Sequence, residues 1–129
     1  MFYAFSYTPS ATDTAAAPKK LPLPLSKGII HQVDVLFQTG CDHKVFVQIW
    51  NDNFQLWPIN RGEKLRGNAT VISFRDYFEL EKGSTELTAY IWTTLSADFA
   101  EVIIQLGVLP KEVLQPMSFD ALLKAATGG

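Results

Sequence analysis

Cysteine is almost missing from this chain. Cys41 stands alone, so an internal disulfide is excluded. Histidine is nearly as scarce, with His31 and His43 the only two. A structural zinc site takes four ligands, usually from paired Cys or His spacings. Cys41 and His43, two apart in one turn, do not supply that set. The carboxylates are scattered, and no two are singled out as a pair of the kind a glycosidase sets across a cleft. The strand-to-helix elbow G-x-S-x-G, the Walker loop and the G-x-G-x-x-G turn are absent. The expectation is a non-enzymatic protein without metal or cofactor.

Positive charge is also short. Eleven Lys and Arg stand against thirteen Asp and Glu, for a net charge of −2. Such a balance does not neutralise phosphates, so nucleic acid is not an expected partner. No apolar run reaches the roughly 18–20 residues of a membrane helix, and no membrane partner is expected. The start, "MFYAFSYTPSATDTAAA", has no cationic segment, and Tyr3, Ser6 and Tyr7 interrupt its apolar stretch. It is not read as a secretory signal.

What the chain does have is apolar and aromatic residues, 47% and 12% of 129. That is enough for the core of one domain. From Ile29 to Pro110 the texture is of short β-type runs between turn residues. "IIHQVDVLF" sets His31, Val33, Val35 and Phe37 on one face. "KVFVQIW" sets Val45, Val47 and Ile49 inward, and "NDN" reverses the chain into "FQLWPI". "ATVISF", "DYFEL", "TELTAYIWTT" and "DFAEVIIQLGVL" follow, the last expected to be the longest strand. About seven strands at roughly 10-residue spacing predict an all-β fold, an antiparallel β-sandwich of jelly-roll or immunoglobulin-like type.

Two flanking segments look different. Residues 1–28 are punctuated by Pro9, Pro18, Pro22 and Pro24. Proline removes an N–H and biases the preceding residue towards extended backbone. The segment therefore reads as an extended N-terminal arm in front of a domain at 29–110, and its removal is expected to leave that domain folded. Free tails are poor in aromatics, whereas this one carries Phe2, Tyr3, Phe5 and Tyr7, then Leu21, Leu23 and Leu25. These are expected to dock on neighbouring subunits. Residues 111–129 predict one short helix, capped by Ser118, with Phe119, Leu122 and Leu123 on a face that seeks a partner. The run "IIHQVDVLF", with no proline and one charge, is expected to be a sheet edge covered by an arm or by a symmetry mate. Identical subunits are thus expected partners, a trimer first and a dimer second.

Trp50 shares a face with Gln48, and Tyr90 and Trp92 share one with Thr88, opposite the core positions. Aromatics so placed either anchor an interface or stack sugars. Carbohydrate binding through Trp50, Tyr90 and Trp92 is the alternative function.

"GIIHQVDVLF", "FQLWP", "VISFRDYFEL", "LTAYIW" and "IIQLGVLP" carry a further signal. Over residues 28–110 the chain resembles a small β-sandwich structural protein of tailed bacteriophages, of the head-decoration or virion-accessory kind. Its "TTLSADFA" stretch departs from that pattern, where an Asn/Asp-rich turn is expected. The resemblance implies a virion structural protein, a capsid decoration or cement subunit, bound to a capsid or other virion protein and located in the virion after assembly in the host cytoplasm.

Overall fold

The computed structural model of the chain describes residues 1–80 and 86–110. It contains eight strands: β1 (Phe2–Tyr7), β2 (Lys19–Pro24), β3 (Gly28–Phe37), β4 (Val45–Asn51), β5 (Phe54–Trp57), β6 (Thr70–Leu80), β7 (Glu86–Thr93) and β8 (Val102–Leu109). They form two four-stranded antiparallel sheets, ordered β1-β8-β3-β6 and β2-β7-β4-β5. The two inner faces share one apolar core, so the all-β sandwich expected from the alternation is present. The expected tail helix, with Phe119, Leu122 and Leu123, lies outside the described residues.

The alternation explains how the core is filled. In the first sheet, rows such as Phe5–Ile104–Val35–Ile72 run across all four strands and point inward. In the second, Leu21–Ala89–Ile49–Trp57 does the same. Burying side chains of this size is worth about 1.5–3 kcal/mol each before the entropy of ordering them is counted.

Residues 1–28 do not form an arm. Phe2 to Tyr7 pair with Gly107 to Val102, and Lys19 to Pro24 pair with Ile91 to Glu86. Leu23 and Leu25 are core residues, and Tyr3, Phe5, Tyr7 and Leu21 pack against the core. The surface expected to come from a neighbouring copy is supplied by the chain itself. The extended backbone that proline favours is here strand backbone, paired within the sheets. An edge strand tolerates prolines when the missing N–H faces outward, and β2 is an edge. Pro22 and Pro24 are two apart, so both ring nitrogens point the same way, which on this strand is the open side.

Three further expectations are corrected. "IIHQVDVLF" is not an edge, because β3 lies between β8 and β6. His31 is not in line with Val33 and Val35. A register shift between Ile30 and Gln32 turns Ile30 into the core and leaves His31 partly exposed, edge-on to the Phe2 ring. "ATVISF" and "DYFEL" are one 11-residue strand, longer than the 8 residues of β8.

The turns carry the positive φ angles that their residue types tolerate. Asp52 (φ 52°) lies in the β4–β5 reversal, and Asp42 and His43 (φ 51° and 56°) lie in the turn after β3. Asn68, just before the neighbouring strand β6, holds that second turn: its Oδ1 accepts from the backbone N–H groups of Gly40 and Asp42, each at 3.0 Å. Gly28 opens β3 where a Cβ would come within 2.6 Å of the Leu109 carbonyl oxygen, so only glycine lets the two strands approach there.

The crossing from β1 to β2, which passes from one sheet to the other, is built on Asp13. Its Oδ2 accepts from the Tyr7 hydroxyl at 2.6 Å and from the Ser10 N–H at 2.9 Å. Its carbonyl accepts from the Thr93 N–H at 3.0 Å. Burial first, then the bond to Asp13 and its charge, push the Tyr7 hydroxyl up to about 12.

Candidate functional site: the aromatic face of the second sheet

The outer face of the second sheet is not a polar, solvated surface. Antiparallel pairing places Phe46 opposite Trp92, Gln48 opposite Tyr90, and Trp50 opposite Thr88. Trp50 and Tyr90 meet on the diagonal, with ring centroids 5.2 Å apart and planes tilted by 37°. Phe46 and Trp92 meet directly at 5.6 Å and 31°. The expected set of Trp50, Tyr90 and Trp92 is thus brought into one patch, all three half-buried. Phe46 was missed. The same alternation reveals it, since Phe46, Gln48 and Trp50 share one parity along β4.

Polar groups fix the patch from below and from one side. Gln48 donates through Nε2 to the Glu63 carbonyl at 2.9 Å and accepts at Oε1 from the Trp50 indole N–H at 3.1 Å. Gln55 donates to the same Glu63 carbonyl at 3.0 Å and accepts from the Gly62 N–H at 3.3 Å. Val47 and Leu65 exchange backbone hydrogen bonds at 2.8 and 2.9 Å. The loop between β5 and β6 is therefore tied to the rim of the aromatic face. The indole of Trp50 has its single donor satisfied and its χ angles held, which lowers the ordering cost of any contact it makes.

Two lysines frame the rings. The Lys20 ammonium stands 5.8 Å from the Tyr90 centroid, and the Lys64 ammonium 5.1 Å from the Phe46 centroid. A cation over a ring face is attracted by the quadrupole of the ring. Such a lysine stem also covers apolar surface that a partner would otherwise find bare. The face is thus an aromatic centre with a cationic border, the composition typical of interface anchors.

The other sequence candidates fall elsewhere. Phe2 remains 70% exposed at the edge of the first sheet, over Gly107, where a Cβ would lie 2.8 Å from its ring. Cys41 and His43 are separated by burial: the thiol is in the core and the imidazole is outside. Burial pushes the Cys41 thiol above its usual range. Its Sγ lies 3.9 Å from the Glu101 carbonyl. Among the described residues no three His, Cys, Asp or Glu side chains gather as a metal site, and no helix is long and apolar enough to cross a membrane.

Compared with protein-family models and with curated proteins, the chain matches none.

Proposed function

We propose that the chain is a virion structural protein, a capsid decoration or cement subunit of tailed-phage type built on a jelly roll. The observation that carries this reading is the nesting of the strands. β1 pairs with β8, β2 with β7, β3 with β6 and β4 with β5, as if one long hairpin had been rolled over itself. Every connection except β4–β5 passes from one sheet to the other. This nesting supports reading the sandwich as a jelly roll, a plan that recurs in viral capsid and lectin domains. Fold alone does not fix function. The aromatic face supplies the site: Trp50, Tyr90 and Trp92 would seat on a shell protein, backed by the buried Phe46, with Lys20 and Lys64 meeting its carboxylates. The role calls for no cofactor and no catalytic group, and the chain would be found in the assembled virion.

Mass spectrometry of particles purified from the virus whose genome encodes the chain tests this. The chain is expected in the particle, and a Trp92→Ala variant is expected to be depleted at least tenfold. Particles that lack the wild-type chain overturn the virion reading. Equal incorporation of the variant overturns the docking face.

A second reading rests on the same rings. Lectin domains share this plan, and Trp50 with Tyr90 offers a stacking surface for a sugar. A glycan array separates the two, because specific sugar binding that Trp50→Ala abolishes favours the lectin reading.

A further inference from the structure

Four strands lie at the borders of the two sheets, and they are not equally protected. β2 carries Pro22, Pro24, Lys19 and Lys20. β5 is only four residues long and runs into Pro58. Short strands, prolines and lysines are the usual devices against edge-to-edge pairing. β1 has six residues, with no charge to set a register. β6 has eleven and no proline, and it is the longest strand of the molecule. Its C-terminal half is irregular: Asp76 and Tyr77 fall where the register against β3 shifts, and the Tyr77 N–H is taken by the Asp76 carboxylate at 2.7 Å. Its N-terminal half, Thr70 to Arg75, is regular and pairs with β3 on one side only.

We propose that this half-strand is the dimerisation edge, and that a second copy of the chain pairs with it antiparallel about a two-fold axis at Ser73. The proposal is independent of the virion reading, because it concerns the isolated chain. A two-fold axis normal to a sheet sets residue i opposite residue j and keeps both on one face. Centred on Ser73, it sets Ser73 against itself and Val71 against Arg75 on the outer face. On the inner face it sets Ile72 against Phe74. Ile72 and Phe74 are the partly buried apolar residues that end the inner rows of the first sheet. Pairing would complete their burial and join two four-stranded sheets into one of eight. Val71, half-exposed in the single chain, would lie under the arginine stem.

The charges agree with this register. Arg75 makes no ion pair among the described residues. Asp34 lies beside Ser73 in the ladder and accepts from the Ser73 hydroxyl and from Gln32 Nε2. The two-fold brings each Arg75 to the same face as Asp34 of the second copy, diagonally across Ser73. No like charges stand opposite one another. Centring on Arg75 instead would oppose two guanidinium groups, which is destabilising.

Sedimentation equilibrium of the full chain, with no other protein present, is expected to show a dimer at micromolar concentration. Val71 is exposed and opposite Arg75 of the second copy, so its charge variants test the register without touching the core. Val71→Lys is expected to weaken the dimer at least tenfold relative to Val71→Glu. Oxidised Ser73→Cys is expected to give a covalent dimer, while the wild type, whose Cys41 is buried, gives none. A wild-type monomer at 100-fold higher concentration overturns the proposal. So does a trimer, or equal dissociation of the two Val71 variants with no cross-link at position 73.

Discussion

The two sheets share their inner chemistry and differ at their borders and outer faces. Both fill the core with the same alternation of Val, Ile, Leu and aromatic residues. The second sheet has guarded edges and an aromatic outer face: prolines and a short strand at its borders, three half-buried rings over the buried Phe46, and two lysines beside them. The first sheet is the reverse. Its outer face carries Gln105, Asp34 and Ser73 in one polar row, while its long border strand is bare. The difference teaches that one small domain can separate two modes of contact. On the proposals made above, one sheet would bind through side chains and the other through backbone.

The most drastic way to test this division is to remove β1 and β2, the one N-terminal strand that each sheet takes. Deletion of residues 1–25 is expected to abolish cooperative thermal unfolding in circular dichroism, because both sheets lose a border and the core loses Leu23 and Leu25. A truncated chain that still melts cooperatively would restore the idea of a dispensable arm. Within that segment, Leu23→Ala is expected to cost about 2–5 kcal/mol. Phe2→Ala, at an exposed ring, should cost well under about 1 kcal/mol, within the range of ordinary surface changes. Urea denaturation of the two variants side by side measures the contrast.

A gentler change targets the guarded edge. Replacing Pro22 and Pro24 together by threonine is expected to leave the free energy of unfolding in urea within about 1 kcal/mol of wild type while promoting concentration-dependent aggregation seen by light scattering. Unchanged scattering would mean that the prolines do not guard the edge. The smallest effect concerns pH. The Tyr7 hydroxyl is held neutral in the fold up to about 12, against 10.0 for the free side chain. Above pH 10 the unfolded chain releases this proton and the folded chain does not. The stabilisation is therefore fully present below pH 10 and is lost as pH rises towards 12. Tyr7→Phe should flatten the fall in stability over that window, as followed by thermal melts at stepped pH.

The strands from Ile29 to Pro110 were legible because alternation and turn residues agree there. Asn51-Asp52-Asn53 turns where it should, and Val45, Val47 and Ile49 face inward as the period of two requires. The aromatic patch was legible by the same rule, Phe46 apart. The first 28 residues were not, because the extended backbone that proline favours fits a free arm as well as an edge strand. Yet Tyr3, Phe5 and Tyr7 alternate as cleanly as any core strand. Strand order was out of reach for a different reason: which strand becomes an edge is decided by partners up to a hundred residues away, and local pattern does not encode it. The bulge that displaces His31 arises from three strands together, so alternation along one strand missed it as well.

The Met1 ammonium donates to the Val108 carbonyl at 2.9 Å, a hydrogen bond between positions 107 apart. That bond sets a timetable for birth on the ribosome. β1 leaves the exit tunnel well before its partner β8 is made. At about 5–20 residues per second, β1 waits roughly 5–20 s for β8. During that interval Phe2, Tyr3, Phe5 and Tyr7 have no sheet to join. Folding that depends on such distant pairs is slow for its size. A nascent-chain chaperone that recognises short aromatic segments would find its binding site in β1 and would lose it when the sandwich closes.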